Sequence, residues 1–407
     1  MAVGALYLHI PFCARKCAYC DFASWPCGRQ DPLMSAYAHG LAELAREVAS
    51  AGLLEPCATA YIGGGTPTLL GARTLGELLS CVRELAPNIR ELSCEANPDS
   101  LSDEVLESLR LKGATRVSVG VQSLLDAELE ALGRLHSAGQ ACERVRAAVA
   151  TGLDVSADLM CATPRQTDAS WEHTLTTLLA LGPQHVSVYP LMLEQGTPLG
   201  ERYAESYPAW NDEDVEAARM EQAARVLEAA GFARYEVASY AKPHKRCAHN
   251  IAYWTGVSYL GLGTAAASML DRASYERLRA SCPQLPRLPE DVVRVRLTIQ
   301  NAPKELAQSH RLRDLAFEGE LLDARQARAE DLMLGMRLTN GVDETLWKTV
   351  PEPLAHDLSD RGLVCNNGGR VCPTRRGWLL GNELYGALWE LAGAPVRPLA
   401  PQTKNPM

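Results

Sequence analysis

Three cysteines in one short segment carry the most specific chemistry in this sequence. Cys13, Cys17 and Cys20 are separated by three residues and then by two, so their thiolates can all reach one small metal centre. A four-iron, four-sulfur (4Fe–4S) cluster normally takes four cysteine ligands, and three would leave one iron open. Such an iron can be chelated by the amino and carboxylate groups of S-adenosylmethionine (SAM), which one electron then cleaves. The spacing therefore predicts a 4Fe–4S cluster with SAM as its partner.

A zinc site is the main alternative for the same three thiolates. Structural zinc takes four nitrogen or sulfur ligands, and His9 or Cys27 could supply the fourth. Zinc motifs usually combine two close pairs of ligands, and the sequence offers no second close pair. Buried thiols that are neighbours by chance are the other alternative. Both stay open on the cysteines alone.

The composition indicates a globular protein of a reducing compartment. The 407 residues are 47% hydrophobic and 22% charged, which suits one large barrel with a small domain. The net charge of −9 disfavours nucleic acid as the main partner. No apolar run approaches the roughly 18 residues that cross a bilayer, and the first residues lack signal-peptide features. We therefore expect a cytoplasmic location, with most of the 13 cysteines as free thiols.

Strand and helix patterns alternate through the first half of the chain. Six strand-like segments occur, at residues 5–10, 57–62, 89–95, 116–119, 155–160 and 185–189. This alternation predicts parallel βαβ units and an α/β fold, a partial TIM-like (β/α)6 barrel. Barrels of this kind carry their chemistry at the carboxyl ends of the strands. The three cysteines, Glu95, Gln122 and Asp158 all fall at or near such ends.

The rest of the chain predicts further units beyond the barrel. We expect the barrel and its sites to span residues 1–270, with a linker region over 271–325, where three prolines lie between 281 and 290. A small α+β C-terminal domain, winged-helix-like, is expected over 326–395, because helical patterns flank a hairpin turned by the Asn-Asn-Gly-Gly sequence at 366–369. Residues 396–407 are expected as a disordered tail.

A glycine-rich run, Gly63-Gly64-Gly65-Thr66-Pro67-Thr68, follows the second strand. Consecutive glycines let a ligand approach the backbone closely and leave N–H groups free as donors. A tight turn would need the same residues. Beside the cysteines, the run suggests a seat for the amino-acid end of SAM.

Taken together, these motifs resemble the radical SAM family of oxygen-independent coproporphyrinogen III oxidases. The matching residues are Tyr7-x-His9-Ile10-Pro11-Phe12-Cys13, the cysteine segment, the glycine-rich run, Glu95-Ala96-Asn97-Pro98, residues 116–123, Gly133-Arg134-Leu135-His136 and Val186-Ser187-Val188-Tyr189. The resemblance implies that SAM at the cluster contacts Tyr7, Tyr19, Gly64 and Glu95. It implies a second SAM position, as in the oxidases, lined by Gly65, Thr66, Gln122, Arg134 and Asp158. Arg134 could pair there with a carboxylate.

Two features resemble a particular branch, the HemW heme chaperones. The oxidases carry a further Cys two residues past the third cluster Cys, where this sequence has Phe22. The segment His249-Asn250-x-x-Tyr253-Trp254 matches that branch's heme-binding signature, which implies His249 as a ligand to heme iron. One departure is Ala267, which stands where the branch has a His.

The resemblance implies a heme chaperone that holds a 4Fe–4S cluster, SAM and heme. Its partners would be a heme-acceptor protein and an electron donor such as flavodoxin or ferredoxin. A true oxidase, decarboxylating the propionates of coproporphyrinogen III in porphyrin biosynthesis, is the rival enzyme, and Phe22 argues against it. A zinc-stabilised structural protein is the third hypothesis.

Overall fold

Six parallel strands, each followed by a helix, form the centre of the fold. The computed structural model describes residues 2–206, 208–308 and 310–399. In it, these strands lie side by side in chain order within a sheet of 13 strands. They are Ala5–Ile10, Thr59–Gly64, Glu91–Ala96, Arg116–Gln122, Asp154–Cys161 and His185–Pro190. The predicted βαβ units are therefore confirmed.

The sheet extends beyond the six strands on both sides. Tyr259–Leu262 lies parallel to Ala5–Ile10. Beyond it come four antiparallel strands, Ala267–Asp271, Val292–Ile299, Phe317–Asp323 and Arg397–Pro398. The opposite edge is formed by Ser239–Ala241 and Ala233–Arg234. Among the described strands the two edges are not paired with each other, so the barrel is partial, as predicted.

The strand Arg116–Gln122 shows how the sheet divides its side chains between a core and an interior cavity. Successive side chains of a strand point to opposite faces. The valines at 117, 119 and 121 are buried in the main hydrophobic core. The residues between them, from Arg116 to Gln122, line the cavity. The apolar side chains of the outer face thus anchor the strand in the core, and the side chains of the inner face are presented to the cavity.

Helices cover the outer face of the parallel strands. The first, Pro32–Ser50, begins where Asp31 accepts a hydrogen bond from the N–H of Leu33 at 2.9 Å. Its buried side chains include Tyr37 and Leu41, which are four residues apart and therefore lie on one face of the helix. The other helices up to residue 308 are Gly71–Leu85, Asp103–Leu111, Asp126–Ala131, Ala138–Ala150, Asp168–Leu181, Pro198–Arg202, Glu213–Ala229, Ala248–Trp254, Arg272–Ser281 and Pro303–Gln308. No described helix has the length and apolar character needed to cross a membrane.

The expected linker region over 271–325 is instead part of the main sheet. It contains the helix Arg272–Ser281 and the strands Val292–Ile299 and Phe317–Asp323, which pair with each other. The proline-rich stretch is a packed connection, since Leu285 and Leu288 are buried and the hydroxyl of Tyr275 donates to the carbonyl of Pro286 at 2.8 Å. The prolines therefore lie in a loop within one folded unit and do not mark a boundary between two units.

The C-terminal part has its own hydrophobic core. Its helices are Ala324–Gly335, Glu344–Trp347, Glu352–Asp360, Arg375–Leu379 and Gly381–Trp389, and its strands are Val342–Asp343, Val364–Asn367 and Arg370–Pro373. The predicted hairpin is present, with positive φ at Gly368 and Gly369. Cys365 and Cys372 face each other across it as free thiols. The winged-helix-like description stays a prediction.

Two details concern the ends of this region. The indole of Trp378 donates to the carbonyl of Val237 at 2.8 Å, which ties the C-terminal part to the barrel. The expected disordered tail begins with an ordered pair, since Arg397–Pro398 joins the strand Phe317–Asp323. Residues 400–407 of that tail lie outside the described residues.

Candidate functional site

A cavity of about 760 Å³ opens at the carboxyl ends of the parallel strands. It reaches the amino ends as well, because Arg116 and His185, the first residues of their strands, line it. The structure brings together all but one of the residues expected to bind the cluster, SAM or heme: Tyr7, Cys13, Cys17, Tyr19, Cys20, Gly64, Gly65, Glu95, Gln122, Arg134, Asp158 and His249. Thr66 is the exception, since it is buried behind Cys13, with its Oγ1 3.6 Å from Sγ.

The cysteine loop, residues 13–20, is held at the mouth of this cavity by backbone contacts. The N–H of Ala18 donates to the carbonyl of Leu132 at 3.0 Å. The side chain of Arg15 donates to the carbonyl of Gly133 at 2.8 Å. Cys13, Cys17 and Cys20 are all free thiols. Burial raises the pKa of Cys13 and Cys20, so a bound metal would be what draws them to the thiolate form.

The residues around the loop fit a cluster with SAM beside it. Gly64 has a φ of +112°, and a Cβ there would lie 2.6 Å from the His9 ring. A Cβ on Gly65 would lie 2.6 Å from the Phe12 carbonyl. Only glycine therefore lets the backbone run this close to the loop. Within the described ranges, no three His, Cys, Asp or Glu side chains are grouped to hold a single metal ion.

His9 is not free to act as the fourth ligand of a zinc site. Its Nε2 lies 2.8 Å from the carbonyl of Ala23, which makes Nε2 the protonated nitrogen. Its Nδ1 then accepts from the hydroxyl of Tyr7 at 2.9 Å. Both ring nitrogens thus already have hydrogen-bond partners, and these hydrogen bonds stabilise the cavity wall.

Glu95 lines the cavity beside the glycine-rich run, and its contact with SAM stays a prediction. Its Oε2 accepts the N–H of Gly64 at 2.9 Å, which joins it to the glycine-rich run. Burial raises the pKa of Glu95 to about 7, although the Gly64 N–H opposes the shift. Tyr61, which the sequence analysis missed, lies against it and stacks on Tyr7 at 6.3 Å. Its position between buried Ala60 and Ile62 is the alternation that could have identified it.

Arg134 contacts the cysteine loop rather than facing open cavity alone. Its Nη1 donates to the Sγ of Cys17 at 3.4 Å. Its Nη2 donates to Oδ1 of Asn97 at 2.7 Å and to the carbonyl of Gly120 at 2.8 Å. Asn97 is thus a second residue whose role the sequence analysis missed. The pairing of Arg134 with a carboxylate stays a prediction.

Asp158 faces the cavity from the fifth parallel strand. The hydroxyl of Ser118 donates to its Oδ2 at 2.9 Å. Burial raises its pKa, and this hydrogen bond opposes the shift. Asp158 and Gln122 therefore add polar groups to the cavity wall.

His249 lies at the far end of the cavity from the cysteine loop, and it is only 1% exposed. Its Nδ1 is 3.0 Å from the hydroxyl of Thr59, at the start of the second strand. Its Nε2 is 3.0 Å from the hydroxyl of Tyr253, and its ring stacks on Tyr61 at 5.2 Å. Burial lowers the pKa of His249 to about 3. In this arrangement neither ring nitrogen is available to an iron.

The helix Ala248–Trp254, here called the motif helix, is anchored at its amino end by Glu91. That carboxylate accepts the N–H groups of Ala248 and His249 at 2.9 and 3.0 Å. The Cys247 thiol donates to it at 3.2 Å, and burial raises the pKa of this thiol. Cys247 is therefore held as a thiol, unlike the thiolate required of an iron ligand. Ligation of heme at His249 stays a prediction, and it requires the ring to lose its hydrogen bond to Thr59 or to Tyr253.

Two family models match this chain. The model of the radical SAM superfamily matches residues 7–178, which include the cysteine loop and the glycine-rich run. The model of the HemN C-terminal domain matches residues 322–380, which include the C-terminal hairpin.

Curated relatives match over nearly the whole chain. The heme chaperone HemW of Mycobacterium tuberculosis (strain H37Rv) is 34% identical over 390 residues, covering 94% of this chain and 94% of that protein. HemW of Bacillus subtilis is 31% identical over 395 residues, covering 94% and 98%. Among solved structures, coproporphyrinogen III oxidase (HemN) from Escherichia coli aligns with a TM-score of 0.72 at 21% identity, over 95% of this chain and 90% of that one. At that identity, the likeness to HemN establishes the shared fold.

Proposed function

This chain belongs to the HemW family of heme chaperones, within the radical SAM superfamily, and on that premise we propose that it binds heme and passes it to an acceptor protein. The observation that carries the proposal is the extent of the match, 390 residues and 94% of both proteins. The barrel, the motif helix and the C-terminal part are all needed to reach that length. A shared barrel alone would support only the superfamily.

The superfamily uses a 4Fe–4S cluster and SAM, and the cysteine loop fits that use. Cys13, Cys17 and Cys20 would hold the cluster. When bound, the cluster supplies the electron that reduces SAM. Glu95 and Gly64, joined by their hydrogen bond, would orient the SAM molecule together with Tyr7 and Tyr19, which line the same cavity: this set is the one expected from sequence.

The residues expected to line a second SAM position divide into two kinds. Gly65, Gln122 and Asp158 line the cavity and would contact a second molecule there. Thr66 and Arg134 contact Cys13 and Cys17 respectively, so their first effect is on the cysteine loop. Binding of a second SAM is part of the proposal for the first kind only.

The rival oxidase function has weaker support. Phe22 stands where the oxidases that this sequence resembles have a cysteine, and its side chain is exposed at the cavity mouth. The likeness to HemN concerns the fold and carries no activity. The proposal also includes a cytoplasmic location and an electron donor such as flavodoxin or ferredoxin. The exposed cations Arg15 and Lys16 within the cysteine loop suit an acidic donor.

The test is an assay of the full-length protein after anaerobic reconstitution with iron and sulfide. The protein is incubated with coproporphyrinogen III, SAM and a reductant, and protoporphyrinogen is measured. We expect about four irons and four sulfides per chain and no product. The Cys17→Ser variant should lose the cluster. Robust formation of protoporphyrinogen would replace the chaperone proposal by the oxidase, and stoichiometric zinc without labile sulfide would refute the cluster.

A further inference from the structure

Exposed apolar side chains are concentrated at one end of the barrel. Among the described residues, seven large apolar side chains are exposed. Five of them lie around the cysteine loop and the carboxyl ends of the strands: Phe22, Trp25, Leu135, Tyr189 and Met192. The other two, Leu111 and Val293, lie outside this group. A concentration of this kind marks a binding surface.

Three of these side chains, Phe22, Tyr189 and Met192, form what we call the apolar rim, because all three line the cavity mouth. The rim is positioned by packed neighbours. Met192 follows buried Leu191, whose N–H donates to the carbonyl of Cys161 at 2.9 Å. Tyr189 lies at the end of the strand His185–Pro190. The backbone that carries the rim is therefore fixed by packed segments, which keep these side chains exposed.

Both positively and negatively charged side chains lie around the rim. Lys16 donates to the carbonyl of Phe22 at 3.0 Å, so its ammonium lies beside the rim. Arg15 donates to backbone carbonyls at 2.8 and 3.0 Å and is otherwise exposed. The carboxylates of Asp21 and Glu194 line the same mouth. An occupant with a flat apolar body and a few anionic groups could contact the rim and the two cations together.

We propose that the apolar rim is where heme docks, with the thioether of Met192 as a ligand to its iron. This rests on the proposed function, that the chain binds heme. A porphyrin is flat and apolar and carries two propionates that Arg15 and Lys16 would meet. Methionine sulfur is an established axial ligand of heme iron, and Met192 is 64% exposed.

Two side chains of the rim, Tyr189 and Met192, belong to types that ligate heme iron. Desolvation and the carboxylate of Asp158 raise the pKa of Tyr189, which disfavours its phenolate, so Met192 is the ligand that we expect.

The histidines near this end are engaged. His9 has both ring nitrogens engaged, and His136 is 4% exposed with Nε2 3.2 Å from the carbonyl of Val121. His249 lies at the opposite end, bonded through both nitrogens. Heme at the rim would also lie next to the cysteine loop, whereas heme at His249 would be separated from it by the length of the cavity.

The experiment is an optical titration of the full-length, cluster-loaded protein with hemin. Phe22→Ser should weaken heme binding at least tenfold, and Leu111→Ser is its matched control, because Phe22 and Leu111 are 61% and 62% exposed. Met192→Leu keeps the apolar volume and removes the ligand, so it should shift the Soret band. Met192→His should restore a strong ligand with a new spectrum. Iron and sulfide content reports that each variant is folded.

Three outcomes would overturn the inference. An unchanged Soret band in Met192→Leu, with unchanged affinity in Phe22→Ser, places heme elsewhere and leaves the proposed function intact. Loss of self-association or of acceptor binding in Phe22→Ser, with heme affinity unchanged, assigns the rim to a protein partner. No saturable heme binding by the wild-type protein removes the proposed function and this inference together.

Discussion

The guanidinium of Arg134 donates from Nη1 to the sulfur of Cys17 across 3.4 Å, although 117 residues separate the two in sequence. Two further hydrogen bonds, to Asn97 and to the carbonyl of Gly120, fix the guanidinium in place. A partly buried cation that donates to a cluster ligand stabilises the more negative, reduced state of that cluster. Arg134 is therefore a positioning residue for the cluster in addition to lining the cavity.

Removal of this cation should lower the reduction potential of the cluster. We expect Arg134→Gln to lower it by on the order of 60 mV, which corresponds to about a tenfold change in a one-electron equilibrium. Arg134→Lys retains the charge and should shift it less. A redox titration followed by electron paramagnetic resonance measures the effect, with Arg73→Gln as the control, because Arg73 is 91% exposed on the helix Gly71–Leu85. Equal potentials in Arg134→Gln and wild type would contradict the role.

SAM binding should depend on pH through Glu95. Burial raises the pKa of this carboxyl to about 7, so it is largely protonated below that pH. The carboxylate is the form that accepts hydrogen bonds from amino and hydroxyl groups. Affinity for SAM should therefore rise between pH 6 and pH 8, with an apparent midpoint at or below 7, since the cationic ligand favours the carboxylate.

Isothermal titration calorimetry at several pH values measures this dependence. Glu95→Gln should bind SAM more weakly and lose the pH dependence, whereas Glu77→Gln, on an exposed helix face, should behave as wild type. A wild-type slope retained in Glu95→Gln would assign the titration to another group.

His249 should act on stability whether or not it ligates heme. His249→Phe keeps a ring against Tyr61 but leaves the hydroxyls of Thr59 and Tyr253 without their partner. Buried groups left unpaired cost about 1–3 kcal/mol each, so we expect a loss of that order in the free energy of unfolding. Chemical denaturation measures it, with exposed His356→Phe as the control. Equal stability in both variants would contradict the buried hydrogen bonds.

The same histidine fixes the sign of a pH effect on stability. Its pKa is lowered to about 3 in the folded protein, against about 6.5 when unfolded. Below pH 6.5 the unfolded chain binds the proton and the folded one does not, so stability falls as pH falls, by up to about 1.4 kcal/mol per pH unit. His249→Phe should reduce that slope. In the folded protein His249 is therefore still unprotonated just below pH 6.5, and we do not expect its protonation to weaken heme binding at that pH.

A Cβ at position 64 should disrupt the part of the cavity that is expected to bind SAM. Gly64→Ala forces an L residue to a φ of +112° and brings its Cβ to 2.6 Å from the His9 ring. We expect a loss of about 2 kcal/mol or more in stability, with weaker SAM binding. Gly139→Ala is the matched control, since its Cβ would lie 3.8 Å from the nearest atom in the helix Ala138–Ala150. Thermal unfolding and SAM titration compare the two.

Local patterns were enough to predict the barrel. The strand Ala5–Ile10 has the predicted bounds, because strand patterns act over a few residues. The same patterns placed Glu95 near the carboxyl end of its strand, whereas Asp158 lies in the middle of the strand Asp154–Cys161, although both line the cavity. Proline failed as a boundary signal at 281–290, because a loop packed by Leu285 and Leu288 uses the same residue types as a linker.

The contacts of the predicted site residues could not be obtained in the same way. Nothing near Arg134 in sequence indicates Cys17, and nothing near His249 indicates Thr59, which is 190 residues away. Those pairs form because the order of the strands in the sheet brings distant segments of the chain together. The motif at 249–254 was correctly recognised as distinctive, but its burial at the far end of the cavity is a tertiary fact.

The central claim is that this chain is a heme-binding chaperone, and an optical titration of the wild-type, cluster-loaded protein with hemin tests it most directly. The account predicts saturable binding of about one heme per chain, with a Soret band distinct from that of free hemin and cluster iron unchanged. Only linear, non-saturable absorbance of free hemin up to a large excess would contradict it.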